Sequence, residues 1–211
     1  IERLRRWAHP IIFVTNALES SAEHAAKLTR FGIPTSPDEV VTAPSVLTRY
    51  LSRHMLGATV FVIGDPPLLQ ELSAKFRLSE DPAEIDVVVV SCDRTFDFRK
   101  LNIAFQALRR GARFLAVNAD ATAPVPGGEI PDAGAVIGAL EGCSGRKVEL
   151  VVGKPSPLMM EAALERLGWS ASECLLVGDS LETDILMGHR AGMTTALVLT
   201  GVTRRADLAH A

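Results

Sequence analysis

The stretch from Leu175 to Ile185, LLVGDSLETDI, constrains the fold of this chain more than any other. A short apolar run followed by Gly-Asp is typical of a buried parallel strand, and Thr183 is a candidate N-cap for the next helix. Asp179 and Asp184 would then flank the turn at the carboxyl edge of a sheet, where open α/β folds bind ligands and where carboxylates suit Mg²⁺. The alternative is that Asp179 caps a turn and Asp184 complements a helix dipole.

A second apolar run, Val148 to Val152, leads into the sequence Gly-Lys-Pro-Ser-Pro. Lys154 would stand at the corresponding edge of the sheet, with Ser156 as N-cap and Pro157 at the first helical position. A cation placed there suits a phosphate or a pair of carboxylates.

A third apolar run, Ile11 to Val14, leads into Thr15 and Asn16. Ser20 and Glu23 form a capping-box pattern for the helix that follows. A hydroxyl and backbone N–H groups close to a helix N-terminus favour an anion, although a polar residue after a strand is most often only a cap.

In this order, the three motifs resemble those of the haloacid dehalogenase superfamily of phosphatases. More narrowly, the chain resembles the subfamily of NagD-type and p-nitrophenyl-phosphatase-like enzymes, which carry a large α/β cap between the second and third motifs. The segments similar to that cap are Val88 to Phe98, Gly111 to Asp120 and Ile130 to Ala135, and Leu197 to Val202 is also similar to the family. The resemblance therefore runs through nearly the whole chain.

The resemblance implies an α/β fold with a Rossmann-like parallel-sheet core, incomplete at both ends, and an inserted α/β cap. We expect the core to comprise residues 1–57 and 148–211, and the cap residues 58–147. Strands alternate with helices along the chain, as in a mostly parallel sheet. We also expect a helix from Ser45 to His54, a loop at residues 119–128, and a return to the first sheet at Val148.

The function implied is that of a magnesium-dependent phosphatase that hydrolyses a small phosphate monoester through an aspartyl-phosphate. Thr15 would hydrogen-bond the transferring phosphoryl group, with loop contacts from Asn16, and Lys154 would neutralise its charge. Asp179 would coordinate Mg²⁺, and Asp184 would act through a bound water or orient Lys154. The implied substrate contacts are Thr15, Asn16, Asn118, Asp120 and Lys154.

The chain departs from the family in its first motif, since the 211-residue sequence contains no D-x-D. In the family, the first aspartate of D-x-D is the nucleophile and the second is the general acid and base. We expect a chain cut at both ends, and the alternative is a non-catalytic phosphate- or metal-binding relative without the nucleophile. Ala17 and Ala119 also stand where the family tends to have Asn and Pro.

Composition fits a cytoplasmic α/β protein and excludes few substrates. The hydrophobic fraction of 47% suits a sizeable core, and the formal charge of −3 argues against a basic nucleic-acid binder. The 3 cysteines are expected to be buried free thiols. No apolar run is long enough to span a membrane. The expected partners are a small phosphorylated metabolite and, in a possible homodimer, a second copy of the chain.

Overall fold

The computed structural model describes the backbone of residues 1–210, and the side chains of that range except those of residues 124, 209 and 210. The strands are β1 Phe13–Thr15, β2 Val40–Thr42, β3 Thr59–Ile63, β4 Arg77–Leu78, β5 Val87–Val90, β6 Arg113–Ala116, β7 Thr122–Val125, β8 Gly128–Pro131, β9 Leu150–Val151, β10 Leu175–Gly178 and β11 Thr194–Leu197. The helices are α1 Glu2–Arg6, α2 Ser21–Arg30, α3 Ala43–His54, α4 Pro66–Ser73, α5 Phe98–Arg109, α6 Ala133–Ser144, α7 Pro157–Leu167 and α8 Leu186–Arg190. A π-helical turn, Leu181–Ile185, precedes α8.

A parallel sheet with the order β4-β3-β5-β6-β9 forms the centre of the fold. Its central strand β5 is buried on both faces, because the valines of β5 alternate between two layers of helices. Val87 and Val89 belong to the core on the side of α3, α4 and α7, whereas Val88 and Val90 pack with α5 and α6. The fold is therefore α/β, as expected.

Two parallel strand pairs, β1–β2 and β10–β11, accompany this sheet. Val41 of β2 and Met187 of α8 belong to the same apolar core as α3 and α7, so both pairs pack on the side that holds those helices. An antiparallel hairpin, β7–β8, projects between β6 and α6. Within residues 1–210, each helix is too short or too polar to span a lipid bilayer.

One expected sheet membership is wrong. The strand near Val148 does not return to the sheet of β1, because Leu150–Val151 pairs with Leu115 and Ala116 of β6. The five-stranded sheet therefore continues past residue 147, and the division into a core and an inserted cap stays a prediction.

Three local expectations also need correction. The segment 119–128 is not a simple loop, because Thr122–Val125 and Gly128–Pro131 form the hairpin. Helix α3 begins at Ala43, before the expected Ser45, since Thr42 caps it. The cysteines are free but not buried, because Cys143 is exposed and the other two are partly exposed.

We predict that the backbone amides of β3, β5 and β6 exchange with deuterium more slowly than those of β1 and β10. Each strand of the first group has neighbours on both sides, whereas among the described strands β1 pairs with β2 alone and β10 with β11 alone. In addition, Leu175 and Val177 of β10 are 59% and 56% exposed. Residue-resolved hydrogen exchange measures the difference, and equal protection of the two groups would contradict it.

Candidate active site

The centre of the candidate site is an ion pair between Lys154, which follows β9, and Asp184, which follows β10. The Nζ atom of Lys154 lies 2.7 Å from Oδ1 of Asp184, and these side chains are only 17% and 8% exposed. The other Asp184 oxygen accepts the backbone N–H groups of Asp179 and Ser180 at 3.1 and 3.2 Å. Three donors therefore fix the direction of this buried carboxylate.

The turn after β10 explains why Asp184 points back at the strand end. Ser180, and not the expected Thr183, is the N-cap, and its hydroxyl accepts the Thr183 N–H at 3.3 Å. The turn therefore starts earlier and brings Asp184 over Gly178. A Cβ at residue 178 would lie 2.2 Å from Cβ of Asp184, so this position requires glycine.

Asp179 lies at the carboxyl end of β10 and is half-buried. Its Oδ2 accepts the Val202 N–H at 2.8 Å and lies 1.8 Å from where a Cβ of Gly201 would be. Its Oδ1 makes no hydrogen bond with the residues that the structure describes. One oxygen of Asp179 is therefore held while the other remains available.

The residues after β1 reach the same place. Thr15 ends the strand, and its hydroxyl oxygen accepts the Ala17 N–H at 3.1 Å. The side chain of Asn16 accepts the Lys154 N–H at 2.7 Å and donates to Asp120 at 3.3 Å. The end of β1 thus contacts the segments after β6 and β9.

Asn118 and Asp120, both after β6, extend the network away from Lys154. The amide nitrogen of Asn118 donates to Asp120 at 3.0 Å and to Asp132 at 3.3 Å. Burial, with the nearby charge of Asp120, raises the pKa of Asp132 above its usual range. Sequence reasoning assigned no role to Asp132, although an aspartate directly before a helix is a recognisable N-cap signal.

The structure thus joins Asn16, Asn118, Asp120, Lys154, Asp179 and Asp184 in one hydrogen-bonded chain, and it places Thr15 beside them. Asp65, which follows β3, stays outside. Its carboxylate accepts the backbone N–H of Arg94 and pairs with the guanidinium at 2.8 Å. Asp65 therefore ties the end of β3 to the segment that follows β5.

The oxygen donors suit Mg²⁺ held by a single carboxylate. Mg²⁺ commonly takes one or two carboxylates together with waters and substrate phosphate oxygens. Asp179 offers one free oxygen, whereas both oxygens of Asp184 already have donors. Among the described residues, no group of three or more His, Cys, Asp or Glu could hold a metal. The fit to Mg²⁺ therefore depends on Asp179 as the ligand, while Asp184 accepts a hydrogen bond from the Asp179 backbone.

Comparison with known proteins identifies the class to which this fold and site belong. A family model described as haloacid dehalogenase-like hydrolase matches residues 1–75, and a related hydrolase model of the same superfamily matches residues 151–211. Sugar-phosphatase AraL of Bacillus subtilis is 41% identical over 209 residues, which are 98% of this chain and 77% of that protein. The 5'-nucleotidase YutF of the same organism is 36% identical over 197 residues, 93% of this chain and 76% of that protein.

Solved structures agree. The p-nitrophenyl phosphatase from Archaeoglobus fulgidus matches with a TM-score of 0.92 and 36% identity, over 99% of this chain and 80% of that chain. The 4-nitrophenylphosphatase from Thermotoga maritima matches with a TM-score of 0.93 and 32% identity, over 100% of this chain and 80% of that chain. The chain belongs to the haloacid dehalogenase-like hydrolases, and within them to the NagD-like subfamily.

We predict that Gly178→Ala displaces Asp184 and destabilises the protein by about 1–3 kcal/mol, the usual cost of overpacking. Gly138→Ala is the matched control, because a Cβ there meets nothing within 4 Å. As Gly138 lies inside α6, that change should stabilise by about 0.5–1 kcal/mol. Urea unfolding of both variants measures the difference. An unchanged midpoint for Gly178→Ala would mean that Asp184 is not seated against the strand end.

Proposed function

We propose that the site is that of a magnesium-dependent phosphatase acting on a small phosphate monoester. The observation that carries the proposal is the buried Lys154–Asp184 pair, with a half-free Asp179 beside it. A fixed cation and a hard-oxygen ligand, both at the carboxyl edges of parallel strands, are the groups that phosphoryl transfer requires.

Each residue then has a separate part in the proposed reaction. Thr15 donates its hydroxyl hydrogen to a phosphoryl oxygen, since its oxygen already accepts from Ala17. Lys154 neutralises charge on the phosphoryl group, and Asp184 holds the ammonium in place. Asp179 would hold Mg²⁺, which when bound offsets negative charge on the phosphate and the attacking carboxylate.

The chemical step in this proposal needs an aspartate from a D-x-D motif. Its carboxylate attacks phosphorus, the ester bond breaks, and the second aspartate of the motif gives a proton to the leaving alcohol. Water, deprotonated by that second aspartate, then hydrolyses the aspartyl-phosphate. The 211-residue sequence contains no D-x-D, so we propose that this chain alone does not turn over.

The segment after β6 is proposed to contact the leaving group. Asp120 uses one oxygen for both amide partners, and its other oxygen can accept a hydroxyl of the substrate. Candidate substrates are phosphate esters of a sugar, glycerol, glycolate, a nucleotide or pyridoxal. Relatives named as a sugar phosphatase and a 5'-nucleotidase support this range.

The proposed cap would close over the bound ester and exclude water. An insertion is supported by the gap between the two family matches, at residues 76–150.

A non-catalytic phosphate- or metal-binding protein is the alternative, and one observation favours it. The 211-residue sequence contains no D-x-D, so it offers neither the nucleophile nor the general acid and base of the proposed reaction. Such a protein would bind anion and metal in the same place without chemistry.

We predict that the 211-residue chain does not hydrolyse p-nitrophenyl phosphate in the presence of Mg²⁺, because it has no D-x-D nucleophile. A version with the D-x-D strand of a relative placed before Ile1 should gain activity. The release of p-nitrophenol measures both. Turnover by the chain alone would show that another carboxylate attacks, and a fusion that folds without gaining activity would favour the non-catalytic alternative.

We also predict that Asp179→Asn and Lys154→Ala affect different ligands. Asp179→Asn should reduce the rise in melting temperature caused by Mg²⁺, whereas Lys154→Ala should reduce the rise caused by inorganic phosphate. In the active fusion, Lys154→Ala should lower kcat by roughly 10²-fold without rescue by metal, the scale of losing one preorganised electrostatic partner. Asp179→Asn should recover activity as Mg²⁺ is raised.

The controls for this experiment are Glu182→Gln, which removes an exposed negative charge as Asp179→Asn does, and Lys75→Ala, which removes an exposed positive charge as Lys154→Ala does. Neither should change the response to Mg²⁺ or phosphate. The site assignment is wrong if Asp179→Asn and Lys154→Ala behave like these controls.

A further inference from the structure

The side chain of Asn16 contacts the backbone of Lys154 on both of its polar groups. Oδ1 accepts the Lys154 N–H at 2.7 Å, and Nδ2 donates to the Lys154 carbonyl at 3.4 Å. The same Nδ2 donates to Asp120 at 3.3 Å. One amide therefore joins the segments that follow β1, β6 and β9.

The orientation of this amide is fixed by its partners. If the oxygen and nitrogen of Asn16 exchanged places, Nδ2 would face the Lys154 N–H, and Oδ1 would face the Asp120 carboxylate and a carbonyl. All of these contacts would be repulsive, because donors would meet donors and acceptors would meet acceptors. The space is also matched, since a Cβ at Gly153 would lie 2.7 Å from Oδ1 of Asn16.

We propose that Asn16 is a positioning residue that fixes Lys154 and couples it to Asp120, and that its side chain does not bind the substrate. The proposal rests on the proposed function, in which Lys154 meets the phosphate and Asp120 the leaving group. It differs from the substrate contact that the family resemblance implies for Asn16, because the side chain is here assigned to Lys154 and Asp120.

The physical reason is that a lysine side chain is long and loses much rotamer freedom when it is ordered. Asp184 holds the ammonium of Lys154 at 2.7 Å, while Asn16 holds the backbone from which that side chain starts. A cation held at both ends needs little rearrangement when phosphate binds. Because Asn16 also contacts Asp120, a change at either residue alters the other, and such coupling is reciprocal.

The test compares Asn16→Ala and Asn16→Asp with the parent chain. Asn16→Ala removes both hydrogen bonds to Lys154, so exchange of the Lys154 amide should accelerate and the Kd for inorganic phosphate should rise about tenfold. Asn16→Asp keeps an acceptor for the Lys154 N–H, so its amide should stay protected. That variant loses the donor to Asp120 and sets two carboxylates against each other, so its phosphate affinity should also fall. NMR-detected exchange and calorimetric titration with phosphate measure these effects.

The coupling is tested by Asp120→Ala in the parent and in the Asn16→Ala background. It should accelerate exchange of the Lys154 amide in the parent and have no further effect once Asn16 is gone. Equal effects in both backgrounds, or unchanged amide exchange and phosphate affinity in Asn16→Ala, would overturn the inference. Lys154→Ala distinguishes failure of the proposed function from failure of the inference about Asn16. If it leaves phosphate affinity unchanged, the proposed function falls together with this inference. If it weakens binding while Asn16→Ala does not, the inference alone falls.

Discussion

The arrangement of the site depends on the ion pair between Lys154 and Asp184. These residues come from turns after two different strands, and they meet where Asp184 is almost removed from solvent. A carboxylate in that position is tolerated only with a full set of donors, because an uncompensated buried charge costs several kcal/mol. Three features bring the donors to Asp184. The turn starts at Ser180, Gly178 has no Cβ to collide with Asp184, and Asn16 holds the backbone of Lys154.

Much of the site could be predicted from the sequence because its signals are local. A strand and the breaker that follows it are adjacent in the sequence, so Lys154 and Asp179 are each found shortly after the apolar strand that the sequence predicts, although the two strands belong to different sheets. The contact of Asp132 with Asn118 could not be predicted, since these residues lie 14 positions apart in the sequence. For the same reason the pairing of β9 with β6 was missed, because strand partners depend on distant segments.

Three glycines provide space for the polar groups of the site. At Gly153, Gly178 and Gly201, an added Cβ would lie within 2.7 Å of side-chain atoms of Asn16, Asp184 and Asp179, respectively. Protein interiors have no room for such overlaps. Identical glycines elsewhere, such as Gly138, face open space. The number of glycines therefore does not indicate where side chains pack closely. At Gly153, Gly178 and Gly201 the missing Cβ leaves room for an acidic or amide side chain.

The β7–β8 hairpin has a fixed base and an exposed end. At the base, Asp132 and Gly134 donate their N–H groups to the carbonyls of Ala121 and Asp120, while residues 125–129 at the end are exposed. Changes of length or sequence at a solvent-exposed turn cost little, since the loop-closure entropy rises slowly with length. The tip can therefore change in length or sequence while these backbone hydrogen bonds hold the base in place. Because Asp120 and Asp132 lie at the base, related chains can differ at the tip without displacing these two carboxylates from Asn118.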